Sequence, residues 1–290
     1  MLRAFRDPAW PWQADSLPNI LRGHGKLTAC PTCWYNTPMS YPILEFDPNP
    51  QAIIEPHKLL RRLPIPPHAV PCFFQDVIAK LVAEHQAKVV YTFKSEIGEN
   101  NLYQMEYQGA PLVVFHPGVG APLAAGFLEE AIALGCRKFI ACGGAGVLDK
   151  SIAVGHLIVP SAAVRDEGTS YHYLPPSREV LADPQAVAAI EAVLQKHQVP
   201  YLLSKAWTTD AFYRETLDKV QRRKAEGCLA VEMEAAAFFA VAQFRGVQFA
   251  QLLYGGDDVS SPEWDHRGWQ DRGAIREHIF WLAAEACLKL

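Results

Sequence analysis

The chain has 290 residues, of which 50% are hydrophobic and 20% are charged, and its formal net charge is -4. This composition is typical of a globular protein with a full-sized core and excludes a disordered or fibrous chain. Lysines and arginines are scattered along the sequence, so the basic patch of a nucleic-acid-binding protein is not expected.

The sequence also argues against a membrane protein. No apolar run reaches the length of a membrane span, and the N-terminus lacks the continuous apolar core of a signal peptide. The seven cysteines are odd in number and widely spread, which favours reduced thiols over a disulfide framework. These features predict a soluble, cytoplasmic protein that binds neither membrane nor nucleic acid.

Residues 1–42 differ from the rest, because they are rich in Pro, Trp and turn formers and show no periodicity. We interpret them as an irregular N-terminal extension. Within them Cys30 and Cys33 form a C-x-x-C pair with His24 nearby. A structural zinc ion needs four ligands, so this pair alone does not predict a metal site, and no metal is expected.

From residue 43 to 290 short β-branched or aromatic runs alternate with helical patterns. In chain order, strands are predicted at 88–93, 103–107, 111–117, 137–142, 155–164 and 247–255, and helices at 75–86, 121–135, 183–198, 225–246 and 272–290. Nothing repeats at a fixed period and no linker divides the segment. The pattern predicts a single α/β domain with a central mixed β-sheet flanked by helices.

Three of the predicted strands end in glycines. Gly118 and Gly120 follow the first of these strands, Gly143, Gly144 and Gly146 the second, and Gly255 and Gly256 the third, where Asp257 and Asp258 come next. Ligands of open α/β sheets bind beyond the carboxyl ends of the strands, so the three ends indicate a shared pocket. None matches the Walker pattern or G-x-G-x-x-G, which disfavours a nicotinamide enzyme.

The predicted helix at 225–246 carries two acids, Glu232 and Glu234, in an apolar run. Residues two apart on a regular helix point in nearly opposite directions, so both cannot serve one pocket. One is expected to face a ligand rich in hydroxyls, such as a sugar, while the other caps or pairs. A purely structural carboxylate bonded to the helix start is the alternative.

Four segments taken together resemble the nucleoside phosphorylase family, which includes uridine phosphorylase, hexameric purine nucleoside phosphorylase and the methylthioadenosine nucleosidases. They are "HPGVGAPLAAGFLEEAIALG", "IACGGAGVLDKSIAVGHLIVPSAAVRDEG", "TTDAFYRE" and "VEMEAAAFFAVAQFRG", and "EFDPNP" resembles the family's first loop. The resemblance covers residues 43 to about 285 and implies a three-layer α/β domain that cleaves a nucleoside without a metal or organic cofactor.

The resemblance also implies roles for individual residues. Met233 and Glu234 would bind the ribose, with Glu234 accepting hydrogen bonds from the 2′ and 3′ hydroxyls, and Phe212 would stack on the base. Asp257 would protonate the leaving base, although the register equally favours Asp258. An acid after the last strand favours a purine, whereas "RDEGTSYHYLPP" is similar to the uridine phosphorylases, so the base remains open.

The sequence departs from the family at the arginines that hold phosphate in its phosphorylases. "FDPNPQA" and "SEIGENN" contain no arginine, and the residue before "CGG" is Ala141. The remaining candidates for an anion site are Gly118, Gly143, Gly144, Lys94 and Arg165, the last with His172 nearby. The nucleosidases lack these arginines as well and use a glutamate of the first loop, which Glu45 and Glu55 bracket here.

The sequence therefore leaves three functions open. Phosphorolysis to free base and ribose 1-phosphate, with phosphate as co-substrate, is the leading interpretation. Hydrolysis by water is the second, and a catalytically inactive nucleoside-binding protein is the third. Because family members complete their sites with residues of a neighbouring subunit, a homo-oligomer, either a dimer or a hexamer, is expected.

Overall fold

A computed structural model describes residues 41–290. Most of the predicted extension, with His24, Cys30 and Cys33, lies outside these residues, and the boundary predicted at residue 43 stays a prediction. The strands are β1 His68–Pro71, β2 Lys88–Ser95, β3 Gly98–Tyr107, β4 Ala110–Phe115, β5 Lys138–Val147, β6 Leu157–Asp166, β7 Glu179–Leu181, β8 Tyr201–Thr209, β9 Cys228–Glu232 and β10 Gln248–Asp258. The helices are α1 Pro56–Leu59, α2 Gln75–Glu84, α3 Ala121–Leu134, α4 Pro184–Lys196, α5 Leu217–Ala225, α6 Ala235–Arg245 and α7 Gly273–Cys287.

The ten strands form one mixed sheet, which confirms the predicted fold class. β5 lies at its centre and runs parallel to β1 and to β10. Pairing continues from β10 through β6, β8 and β9 back to β5, so these five strands close a ring, while β1, β4, β3 and β2 extend the sheet from the other side of β5. This closure brings the ends of β5, β9 and β10 together.

The core is built from apolar side chains of the central strands and from helices that are apolar on most sides. Phe249 of β10 lies between Phe139 of β5 and Phe238 of α6, with ring centroids 5.8 Å and 4.7 Å apart. Helix α3 packs on α6 and α4 packs on α7, and helices of both pairs contact the sheet. Among the described residues no helix combines the length and apolar character needed to cross a membrane.

The predicted helix at 225–246 was wrong in its first half. Residues 228–232 form β9, which runs parallel to β8 and meets the end of β5, and helix α6 starts only at Ala235. Apolar side chains of β9 are buried in two clusters: Ala230 packs in the cluster of Val147 and Leu253, and Cys228 and Val231 pack in that of Trp207. Tertiary packing therefore overrides the helical pattern that the alanine-rich sequence suggests.

The first strand-to-helix loop also lies elsewhere than the sequence suggested. "EFDPNP", residues 45–50, follows a short 3-10 turn at Pro42–Leu44, and no strand precedes it within the part of the chain that the structure describes. Strand β1 and helix α2 are instead joined by Cys72, Phe73 and Phe74. Strands β1, β7, β8 and β9 and helices α1 and α5 were not predicted, because they are short or lack a clear apolar period.

Candidate functional site

A cavity of about 640 Å³ opens where β5, β9 and β10 end. Its volume lies in the range of small-molecule sites. Its walls combine three strand ends with a loop before α5 and a loop after β10. The lining residues are Gly144, Ala145, Gly146, Phe212, Tyr213, Glu215, Val231, Glu232, Met233, Gly256, Asp257, Val259, Ser261, Pro262, Trp264, His266, Trp269 and Gln270.

Glycine is required at Gly146 because two strands approach it closely. Gly146 pairs with Val231 of β9 across the ring of strands. A Cβ atom at this position would lie 3.0 Å from Val231 Cγ1 and 3.5 Å from an oxygen of Asp257. The missing side chain thus leaves room for the Asp257 carboxyl at the cavity wall.

Glu232 lies at the junction between β9 and α6 and caps the helix. Its carboxylate accepts the Thr208 hydroxyl at 2.5 Å and the backbone N–H groups of Glu234 at 2.8 Å and Ala235 at 2.6 Å. The Thr208 hydroxyl in turn accepts the N–H of Ala236 at 3.0 Å. The structural role expected for Glu232 is thus visible in its contacts, although the residue also lines the cavity.

Glu234 is buried beside Met233 and does not itself line the cavity. One of its oxygens accepts the backbone N–H of Gly120 at 2.5 Å, which ties the loop before α3 to the start of α6. Because Glu232 ends a strand and Glu234 precedes the helix, the opposed directions expected for a regular helix do not apply.

Burial disfavours the charged forms of both Glu232 and Glu234. Burial raises the pKa of Glu234, and the neighbouring Glu232 carboxyl raises it further. Burial raises the pKa of Glu232 too, but three donors favour its charged form. Hydrogen-bond donors therefore compensate the charge of Glu232 more fully than that of Glu234, which accepts the N–H of Gly120.

Asp257 and Asp258 occur within β10 and have different surroundings. Asp257 lines the cavity, and one of its oxygens accepts the indole N–H of Trp264 at 2.7 Å. Asp258 is buried away from the cavity, where Arg267 contacts its carboxylate at 2.5 Å. The pairing of β10 with β5 is irregular between Gly255 and Asp258, and of the two acids only Asp257 lines the cavity.

The loop that precedes α5 supplies the aromatic part of the cavity. Phe212 and Tyr213 are exposed at its edge with ring centroids 4.1 Å apart. Glu215 follows them and lines the same cavity. Burial, with a further contribution from Asp257, raises the pKa of Glu215 to about 7. Sequence reasoning did not identify Glu215 as a site residue, although it ends the "TTDAFYRE" motif.

The profile of the phosphorylase superfamily matches residues 67–279. The chain belongs to this superfamily. Its match starts at the strand β1, which agrees with a first loop at residues 72–74 rather than 45–50.

Individual relatives of this phosphorylase-superfamily protein include two archaeal enzymes. Guanosine phosphorylase of Halorubrum lacusprofundi is 30% identical over 155 residues, which are 52% of this chain and 64% of that protein. Uridine phosphorylase of Thermococcus kodakarensis is 30% identical over 159 residues, 49% and 56% of the two chains. The alignments thus span less than two thirds of either relative.

Solved structures share the fold over a larger part of the chain. Uridine phosphorylase from Vibrio fischeri superposes with a TM-score of 0.67 and 26% identity, covering 78% of this chain and 93% of that one. AMP nucleosidase from Bacteroides thetaiotaomicron gives a TM-score of 0.63 at 21% identity, covering 78% and 88%. The second likeness concerns the fold alone.

The anion-site residues suggested by the sequence of this superfamily member are dispersed. Gly144 lines the cavity, whereas Gly143 lies against the ring of Phe73, and Gly118 bonds the imidazole of its neighbour His116 through its N–H. Lys94 lies on β2 with its side chain 74% exposed and paired with Glu99.

Arg165 is committed to the structure around it. It is buried, and its guanidinium donates to the hydroxyls of Ser170 and Ser177 at 2.8 Å and 2.7 Å. The guanidinium also lies 4.1 Å from the ring centroid of Tyr171. Neither Arg165 nor any other arginine or lysine lines the 640 Å³ cavity among residues 41–290.

A second cavity of about 830 Å³ lies between residues 43–60, helix α3 and the end of α6. Its wall holds a buried ionic cluster, in which Arg245 contacts Glu129 at 2.8 Å and Glu55 at 3.3 Å. Glu55, which the sequence placed near a possible first loop, therefore lies in this cavity. Phe212, Met233 and Glu234 do not line it, whereas His172, which the sequence named together with Arg165, does.

No group of three or more histidine, cysteine, aspartate or glutamate side chains within residues 41–290 is arranged to hold a metal ion.

Proposed function

We propose that this protein cleaves the N-glycosidic bond of a nucleoside by phosphorolysis, giving the free base and ribose 1-phosphate. One observation carries the proposal: a single cavity of about 640 Å³ gathers Phe212, Met233 and Asp257 around one space. These are three of the four residues to which the family resemblance assigns the base, the sugar and the leaving group. The names of the aligned relatives support phosphate as the acceptor.

The proposed chemistry follows from the charges in this cavity. Cleavage of the C1′–N bond builds positive charge on the sugar and negative charge on the base. Carboxylates beside the sugar stabilise the first, and a carboxyl at the base end neutralises the second. In the proposal, Met233 and Glu234 hold the ribose, Phe212 stacks on the base, and Asp257 acts at the base end.

To bind the sugar in this proposal, Glu234 has to exchange its present hydrogen-bond donor for the ribose hydroxyls. Its carboxyl now bonds the N–H of Gly120 at 2.5 Å, immediately behind the cavity-lining Met233. When ribose binds, its hydroxyls would replace the N–H of Gly120 as donors to the Glu234 carboxyl, and the loop before α3 would move. A carboxylate suits this task because it accepts two hydrogen bonds from neighbouring hydroxyls.

Hydrolysis by water is the second candidate, and it is favoured by the lining of the cavity. Arginine and lysine are absent from that lining among the described residues, whereas Glu215, Glu232 and Asp257 belong to it. The ring of Phe73 covers Gly143, where a Cβ atom would lie only 3.0 Å from that ring. These surroundings offer no cation to compensate the buried charge of a phosphate dianion, whereas water is neutral and needs no such compensation.

A homo-oligomer forms part of the proposal. Lys94 is exposed on the edge strand β2 and takes no part in the cavity of its own chain. In a phosphorylase-like assembly it would reach the site of a neighbouring subunit and supply the missing cation. Light scattering on the purified chain tests for the oligomer. Lys94→Ala should raise the KM for phosphate if this assignment holds.

The activity is tested by incubating the phosphate-free, full-length protein with purine and pyrimidine nucleosides, with and without added phosphate. Release of free base that requires phosphate and yields ribose 1-phosphate supports the proposal. Release that is indifferent to phosphate identifies a hydrolase, and tight binding without release identifies an inactive binding protein.

A variant pair tests the ribose assignment in the same assay. Glu234→Ala should lower kcat/KM by at least about a hundredfold, because a charge-assisted contact to the reacting sugar is lost. Glu106→Ala, at an exposed position of β3, is the matched control. Unchanged kinetics in Glu234→Ala would rule out this role.

A further inference from the structure

Glu215 is an ionisable residue of the cavity that neither binds the nucleoside nor acts on it in the proposed function. It lies between a 3-10 turn at Phe212–Arg214 and the start of α5 at Leu217, so it follows the aromatic wall directly. Its side chain is half-buried. Within residues 41–290 its carboxyl accepts no hydrogen bond, in contrast to Glu232 with three.

Asp257 shares the cavity with Glu215 and is already held in place. Its Oδ2 atom accepts the N–H of Trp264 at 2.7 Å. Lys219 of α5, whose charge acts on Glu215, donates to Asp166 at 3.1 Å. Two carboxyls without a dedicated cation do not both ionise easily, so the proton resides on the one that lacks a donor.

We propose that Glu215 is the catalytic acid that protonates the leaving base, with Asp257 as its charged partner, and that the base is a purine. This inference rests on the proposed cleavage of a nucleoside. A purine accepts the proton at N7 and leaves as a neutral molecule, which suits a cavity whose described lining offers carboxyls and no arginine or lysine.

The step balances in protons and electrons. The C1′–N9 bond breaks and its electron pair passes into the imidazole ring of the purine, while the Glu215 carboxyl gives its proton to N7. An oxygen of phosphate, or of water, forms the new bond to C1′. Either nucleophile releases one proton as its product reaches its final charge, and that proton restores Glu215.

The surroundings set the pH at which Glu215 holds its proton. Burial and the neighbouring Asp257 raise its pKa to about 7, whereas Lys219 on α5 lowers it. Glu232 from β9, Tyr213 from the loop before α5 and His266 from the loop after β10 are the other ionisable groups of the cavity lining. A general acid works best with a pKa near the operating pH.

The test compares ordinary and N7-methylated purine nucleosides. A 7-methylpurine already carries positive charge and leaves without a proton from the enzyme. Glu215→Gln should therefore lower kcat for inosine and guanosine by about 10²–10⁴-fold, and kcat for 7-methylguanosine by less than about tenfold. Asp218→Asn, at an exposed position of α5, is the matched control and should leave both unchanged.

The pH profile gives a second readout. For ordinary purine nucleosides kcat of the native protein should fall as the pH rises through about 7, since Glu215 then loses its proton. Asp257→Asn should move that fall to lower pH, because it removes the neighbouring negative charge. With 7-methylguanosine the fall should be absent.

The results of these assays distinguish a failure of the acid role of Glu215 from a failure of the proposed nucleoside cleavage. If the native protein releases no base from any nucleoside, the proposed function fails. If it releases base and Glu215→Gln slows both kinds of substrate equally, or neither, Glu215 is not the acid. Cleavage of uridine alone would overturn the assignment of a purine.

Discussion

Replacing the two adjacent acids of β10 one at a time should give opposite results. Asp257→Asn should impair catalysis and leave the fold intact, whereas Asp258→Asn should destabilise the fold. The reason is the different surroundings of the two side chains, because Asp257 lines the cavity and Asp258 contacts the guanidinium of Arg267.

The magnitudes follow from burial. Asp258 is 5% exposed, and the Arg267 side chain that contacts it is 13% exposed. Removing one partner of a buried ion pair costs about 3–5 kcal/mol, and an amide that still accepts a hydrogen bond recovers part of this cost. A loss of about 2–4 kcal/mol lowers Tm by about 4–12 °C in a domain of this size.

For Asp257→Asn we expect a loss of catalytic activity and not of stability. Its partner Trp264 is 62% exposed, so weakening their hydrogen bond should cost less than about 1 kcal/mol of stability. We expect kcat/KM for a cleaved nucleoside to fall by at least about tenfold, equivalent to about 1.4 kcal/mol of transition-state stabilisation.

Calorimetry and base-release kinetics on both variants measure the two effects side by side. A catalytically inactive Asp258→Asn protein with native Tm, beside an active Asp257→Asn protein with lowered Tm, would refute the assignment. That result would mean that the register of β10 is shifted by one residue.

Three further changes are predicted to act on stability. Thr208→Val should cost about 1–3 kcal/mol in denaturant unfolding because it leaves the N–H of Ala236 unpaired, whereas Thr208→Ser should cost much less. Gly255→Ala places a Cβ atom 2.8 Å from a buried side chain and should cost about 1–3 kcal/mol, whereas Gly126→Ala, in open space on a helix, should stabilise. The pKa of Glu215 is raised from 4.5 to about 7, so the stability that its bound proton contributes is complete below pH 4.5 and is lost as the pH rises to about 7. The Tm of Glu215→Gln relative to that of the native protein should therefore rise over that window and then level off.

Much of the candidate site was accessible from sequence because its residues stand in local motifs. Phe212, Met233, Asp257 and Gly144 were all selected from short stretches, and the structure places the four in one cavity. Glycine at a strand end and an acid after an apolar run have a local physical meaning, so they can be recognised without a fold.

Glu215 could have been found by the same reading, since it belongs to the motif that contains Phe212. Its significance arises only when the loop before α5 and the end of β10 meet, because the neighbouring Asp257 and the partial burial raise its pKa. Charge neighbours distant in sequence are not visible in the sequence itself.

The sequence by itself determined the class of fold, through the alternation of strand and helix patterns, and the chemical types available to the site. Only the tertiary structure decided how residues 228–234 are used. Residues 228–232, which precede the alanine-rich run of α6, became the strand β9 because they form part of the closed ring of strands, where their backbone groups are paired by β5 and β8. The same closure turned Glu232 into a cap, placed Glu234 behind the cavity, and brought Asp257 and Glu215 to face the same space.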